Sequence, residues 1–300
     1  MSSPLAKLDA DASPLVGPGQ TLGVIGAGVM GRTLLRGLLE SGAIASDRAW
    51  ASAKTKLTCE AAAEALGVPV ELDCRQRVAD AGIILICVKP AQAGKVLNTL
   101  KECGLREDTL LVSIMAGLTV AQLEAALGTQ NPFIRAMPNT PCIVREGMTV
   151  ICPGTRATVD HMARARRVFE AVGKCLPMEE SYFNAVTALS GSGPAYQYLI
   201  MEAFADAGVR VGLPRHLALT LVAQTAVGAA KMVQTTGRHP AALRDDVTTP
   251  AGCTIGGLLM LEDGKIRSVL ARAIEEATRI AGQLGEPSAS ARKAKDGSNG

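Results

Sequence analysis

The stretch Thr21–Gly31, TLGVIGAGVMG, constrains the fold of this chain more than any other. A short apolar run ends in Gly26-x-Gly28-x-x-Gly31, and a helix-spaced segment, VMGRTLLRGLLESG, overlaps its end. Glycines at that spacing let a backbone turn tightly, approach a pyrophosphate, and pack helix against strand. The unpaired N–H groups and dipole of the helix N-terminus then favour an anion. Gly26, Ala27, Gly28, Val29 and Met30 are therefore candidate dinucleotide contacts.

The pattern continues downstream. RAWASA, GIILICV, TLLVSI and PFIRAM read as further strands, separated by helical stretches such as CEAAAEALG and VAQLEAALG. Such alternation implies an α/β Rossmann-like domain with a doubly wound, mostly parallel sheet. MTVICPG and ATVDHMARARRVFEAVG complete it, and beyond Tyr182 only Ala/Leu/Val-rich helical patterns follow, an all-α C-terminal domain. The expected organisation is a flexible leader over 1–20, a dinucleotide domain over 21–180, a helical domain over 181–284 and a disordered tail over 285–300.

Composition narrows the partners. A formal charge of +3, with no basic tract interleaved with aromatics, argues against nucleic acid. No signal core, transit-peptide character or run judged long and apolar enough to span a bilayer is evident, so a cytoplasmic protein without a membrane partner is expected. Eight cysteines lacking any C-x-x-C pair, with only three histidines, suggest reduced thiols and no metal.

The second strand ends in Ser52-Ala53-Lys54-Thr55-Lys56. An NAD-selective site usually places a carboxylate there to hold the ribose hydroxyls. Hydroxyls and ammonium groups suit a 2′-phosphate instead, which favours NADPH, with NADH as the alternative. Ligands of doubly wound sheets bind at the carboxyl ends of the strands. Three turns should meet there: Cys87-Val88-Lys89-Pro90, Ile114-Met115-Ala116, and Met137-Pro138-Asn139-Thr140-Pro141. Together they outline a cleft over the nicotinamide.

A second small-residue feature, DDVTTPAGCTIGGL, interrupts the helical half. Pro250 stops what precedes it, and Ala251-Gly252-Cys253-Thr254 starts a new helix. Its free N–H groups offer a cradle for a carboxylate. The same residues also read as an ordinary interhelical turn capped by threonine.

In order, GVIGAGVMG, CVKP, RAMPNTP, ALSGSGPAYQY and LRDDVTTPAGCTIGGLLMLE resemble the motifs of the pyrroline-5-carboxylate reductases. The resemblance runs from about Thr21 to Gln283. It implies reduction of the ring C=N of L-1-pyrroline-5-carboxylate to L-proline with NAD(P)H, the last step of proline biosynthesis. It also implies a helical substrate and dimerisation domain, with homodimers that assemble further into decamers. By the same resemblance, the amides of Cys253 and Thr254, beside Gly252, hold the substrate carboxylate, and the Thr254 hydroxyl bonds the ring nitrogen. Glu180 is implied as a substrate contact and Asp246 as a neighbour of the cofactor. Three positions depart from the family pattern: Ala251 for a usual glycine, Cys253 for Ala or Thr, and Cys74 where some members have Asn.

His161, His216 and His239 lie outside every motif. That suits an imine, which is protonated before hydride arrives and needs orientation more than a strong acid. Two other readings stay open from sequence: a β-hydroxyacid dehydrogenase-like enzyme, although ALSGSGPAYQYLIMEAFADAG lacks that family's lysine, and a dinucleotide-binding protein without turnover.

Overall fold

The computed structural model describes residues 14–284. The tail expected over 285–300 and most of the leader lie outside them. The part of the leader that is described is packed, not flexible: Leu15 and Val16 are buried in the core. Their carbonyls are met by arginines, Leu15 O accepting from Arg164 Nε at 2.8 Å and Val16 O from Arg48 Nη2 at 3.3 Å. Two isolated apolar residues carry no periodicity, so sequence alone did not reveal this anchor.

Eight strands among the described residues form one sheet: β1 (Thr21–Ile25), β2 (Ala49–Ser52), β3 (Val70–Glu71), β4 (Ala81–Ile86), β5 (Leu110–Ser113), β6 (Phe133–Met137), β7 (Gly147–Pro153) and β8 (Gly173–Pro177). Their order is β3-β2-β1-β4-β5-β6-β7-β8. The first six in chain order are mutually parallel, β7 runs antiparallel to β6, and β8 is parallel to β7. The chain leaves β1 in one direction through β2 and β3, then returns to add β4 on its other side. This reversal opens a crevice at the carboxyl ends of β1 and β4.

Helices α1 (Val29–Glu40), α2 (Lys56–Leu66), α3 (Arg75–Val78), α4 (Ala93–Glu102), α5 (Val120–Leu127) and α6 (Val159–Glu170) cover the two faces. Strand alternation divides the core between them. In β4, Ile83 and Leu85 join the cluster with Leu34, Leu35 and Phe169, while Ile84 and Ile86 join the one with Leu97 and Leu123. All six β4 residues are buried, as expected of a central parallel strand covered on both faces.

By compactness, residues 14–191 form a first unit together with 277–284, and Ser192–Glu276 forms a second. The short α7 (Phe183–Val186) and a π turn over Thr187–Gly191 belong to the first. The second unit holds α8 (Gly193–Arg210), α9 (Arg215–Thr236), α10 (Pro240–Asp246), α11 (Cys253–Asp263) and most of α12 (Ile266–Gln283). Pro194 sits in the first turn of α8, where its missing N–H costs nothing, and Gly237 in the left-handed region closes α9. The sequence expectation of no membrane-length run needs correction, because α9 is long and apolar enough by length and composition. Only Ala218 along it is buried within the chain.

Candidate active site

The glycines of the first turn do separate jobs. Gly26 has φ +103°, and a Cβ there would lie 2.5 Å from the carbonyl oxygen of Cys87 on the neighbouring strand's end. The N–H groups of Gly26 and Ala27 both donate to Ser52 O, at 2.9 and 2.8 Å, tying the turn to the end of β2. A Cβ on Gly31 would meet Gly26 O at 2.2 Å, so only glycine lets α1 sit this close to β1. Gly28 faces open space and caps α1 without a side-chain hydrogen bond. The first amides of α1, on Val29 and Met30, therefore have no side-chain acceptor supplied by that cap.

Beside this turn lies a cleft of about 550 Å³. Gly26, Ser52, Ala53, Lys54 and Val88 line it, all residues singled out in the sequence. Thr55 and Lys56 do other work: Thr55 Oγ1 caps α2 by accepting from Thr58 N at 3.2 Å, and Lys56 faces Glu60 at 3.8 Å. The cleft also takes in Asp73, Cys74, Arg75 and Lys95. Asp73 is neutralised by Arg75 at 2.9 Å, and the Arg75 backbone amide, the largest influence, holds its carboxyl below the usual range. Lys54 and Lys95 also line the cleft, and neither has an ion pair among the described residues. Burial pushes the Cys74 thiol up, so it lines the wall as a neutral group.

The three turns at the strand ends are rigidly built. Cys87 N donates to Ile25 O at 2.7 Å, and burial raises the Cys87 thiol to about 12. Lys89 precedes Pro90, which opens a 3₁₀ turn. Ile114 N reaches Ile86 O at 3.2 Å, Met115 N bonds Ser113 Oγ at 3.2 Å, and Ala116 leads into Gly117 at φ +79°. The Asn139 side chain is spent within the fold: Nδ2 donates to Ser190 O at 3.0 Å and Oδ1 accepts from Met148 N at 2.8 Å. Only its backbone is free of that bridge.

Glu180 is likewise committed. Its Oε1 accepts from Arg135 Nη1 at 2.9 Å and from Val120 N, at the start of α5, at 2.7 Å. The Arg135 side chain is 5% exposed and stacks over Phe183 at 4.5 Å. This carboxylate was expected to face the substrate; within the fold its Oε1 serves an internal cation and a helix N-terminus, and the side chain stays 34% exposed.

In the second unit, the loop before α11 is strained at the position where the sequence departs from the family's glycine. Ala251 has φ +55°, a left-handed conformation a Cβ disfavours. Gly252 caps α11 without a side-chain bond, and a Cβ there would lie 2.4 Å from Thr249 Oγ1. Cys253 and Thr254 form the first turn, with Cys253 exposed. Asp246, at the end of α10, pairs with Arg238 through Nη2 at 3.1 Å, and that hydrogen bond holds its carboxyl below the ordinary range.

This chain is 42% identical over 265 residues to a pyrroline-5-carboxylate reductase of Arabidopsis thaliana, covering 88% of the chain and 95% of the relative. The chain belongs to the pyrroline-5-carboxylate reductase family. A Schizosaccharomyces pombe reductase of that name is 40% identical, covering 88% of the chain and 98% of the relative. A model described as pyrroline-5-carboxylate reductase dimerisation matches residues 180–284. One described as NADP oxidoreductase, coenzyme F420-dependent, matches 21–117. A solved pyrroline-5-carboxylate reductase from Coxiella burnetii superposes with a TM-score of 0.84 at 32% identity, over 90% of this chain and all of that one. A Plasmodium falciparum pyrroline carboxylate reductase with NADP bound gives 0.78 at 31%, over 89% and 98%.

For a pyrroline-5-carboxylate reductase family member, the sequence singled out the glycine turn and Lys54 but missed Arg75 and Lys95. Those two sit on α3 and α4, and only the crossover to β4 brings them to the cleft. Membership sets this family, an oxidoreductase family using a nicotinamide cofactor, in place of the two alternative readings.

Proposed function

We propose that this chain reduces the C=N bond of L-1-pyrroline-5-carboxylate to L-proline, with NADPH as the preferred reductant. Family membership at 42% identity over most of the chain carries this reading. The residues present fit a dinucleotide: a tight turn that only Gly26 and Gly31 allow, a helix N-terminus whose cap Gly28 faces open space and lends no side-chain bond, and a cleft with two lysines unpaired among the described residues. Gly26–Met30 would hold the pyrophosphate, and Lys54 with Lys95 the 2′-phosphate. Bound there, the nicotinamide supplies hydride to the imine carbon.

The rest falls to side chains and amides of this chain. The amides of Cys253 and Thr254, at the N-terminus of α11, hold the carboxylate of the imino acid. The Thr254 hydroxyl bonds the ring nitrogen and fixes which face of the C=N is presented. Hydride addition to the protonated imine cancels its positive charge, so no alkoxide forms and no strong acid is needed. Orientation and a fixed electrostatic environment carry the acceleration. Glu180 acts as a positioning residue, holding β6 and α5, and Asp246 works through its pair with Arg238. Homodimers, assembling further into decamers in the cytoplasm, complete the reading.

The test follows NADPH absorbance with purified protein and L-1-pyrroline-5-carboxylate, with NADH in parallel. Rapid oxidation yielding proline is expected, faster with NADPH. Tight NADPH binding with no oxidation would overturn the substrate assignment. Lys54→Ala should reduce the NADPH-to-NADH rate ratio about tenfold, by loss of one charge-assisted phosphate contact. An unchanged ratio would remove Lys54 from cofactor selection.

A further inference from the structure

A second groove, of about 250 Å³, lies on the outward face of α1. None of its lining residues lines the dinucleotide cleft, and only Val29 belongs to the glycine turn. The helix contributes Arg32, Arg36 and Glu40, one face at spacings of four. The opposite wall is the 3₁₀ turn that follows Asn139, ending in Arg145. Gly37 forms part of the floor: a Cβ there would lie 2.3 Å from Val172 Cγ1, so the helix and the approach to β8 nearly touch.

The charges do not balance. Arg145 and Glu40 form an ion pair at the rim. The Arg32 side chain, half-buried, has no hydrogen bond or ion pair among the described residues. Among the described residues, the Arg36 side chain has only a long contact, 3.5 Å, to Ala65 O. Two guanidinium groups four residues apart on one helix repel each other unless something anionic lies between them. Arg145 is also held in the left-handed region, φ 58°, by bonds from its own N–H to Cys142 O and from Glu146 N to Pro141 O. That unfavourable backbone carries a third guanidinium to the same groove.

We propose that this groove is an anion site for a small phosphate-type dianion, separate from the dinucleotide cleft. The charge left after the Arg145–Glu40 pair is +2, matching a dianion. Guanidinium forks bind phosphate oxygens in pairs, which a lysine cluster would not do. The lining has no aromatic side chain on which a base could stack, so a second nucleotide is disfavoured. The inference does not rest on the reductase reading, only on the groove and its charges.

The experiment is calorimetric titration of the full chain with potassium phosphate, against potassium chloride at equal ionic strength, with saturating NADPH present throughout. NADPH occupies the pyrophosphate cradle, so phosphate binding that persists belongs elsewhere. Saturable binding of one phosphate per chain is expected. Arg32→Gln and Arg36→Gln should each weaken it about tenfold, the effect of one charged hydrogen-bonding partner. Glu40→Gln should tighten it several-fold by freeing Arg145, a gain that misfolding cannot imitate. No saturable binding beyond chloride, or identical binding in all three variants, would overturn the proposal. If Arg32→Gln fails to fold, the opposed effects of Arg36→Gln and Glu40→Gln still decide it.

Discussion

Thr254 and its neighbour Ala251 make opposite kinds of claim. If the Thr254 hydroxyl orients the ring nitrogen, Thr254→Ala should lower kcat about a hundredfold, the scale for one transition-state hydrogen-bond donor. NADPH affinity should hardly change, and steady-state kinetics beside cofactor titration checks both. Ala251 is a question of backbone, since its φ of +55° suits glycine better. Ala251→Gly removes about 1 kcal/mol of left-handed strain, partly offset by greater freedom of the unfolded loop. A melting temperature raised by a degree or so is expected, where the same change in a helix would lower it. The departure was legible in advance, because the family pattern has glycine where this chain has Ala251, but the left-handed angle itself was not. The fate of Glu180 was not: its partner Arg135 is 45 residues distant in sequence, and nothing in either segment announces the pairing.

Elements with continuous apolar runs, such as GIILICV, declared themselves in the sequence. Strand β3 did not, having two residues, and nor did β8, whose GKCLP mixes lysine, glycine and proline. The reversal of β7 was also hidden, since alternation fixes which side chains face inward but not the direction of the chain. Close packing of α1 on β1 yields a sharp prediction. Gly31→Ala places a methyl 2.2 Å from a backbone oxygen, which must push the helix away. A loss of about 1–3 kcal/mol in stability is expected. NADPH affinity should fall at least tenfold, read by fluorescence titration. Glu180→Ala tests the tie between β6 and α5. It should cost about 2–3 kcal/mol in urea denaturation, less than the full penalty for a wholly buried pair because Glu180 is partly exposed. A substrate contact would raise KM and leave stability alone, so the two roles separate cleanly.

At the scale of the molecule, the second unit keeps many large apolar side chains exposed, Leu199, Phe204, Leu221 and Met260 among them. Its span lies within residues 180–284, which the dimerisation model matches. Light scattering should therefore give a mass at least twice the 31.0 kDa of one chain, and a monomer at micromolar concentration would contradict this. The sheet of the first unit points the same way from the opposite side. Of its outer strands, β3 is two residues long, and β8 carries the exposed Lys174 and closes on Pro177. An edge so short, or so charged and proline-stopped, gives a neighbouring strand almost no ladder to join. Copies of this chain thus have no easy route to fuse their sheets end to end. Growth into fibrils is discouraged by the same strands that the sequence disguised, and helices are left as the surface on which copies meet.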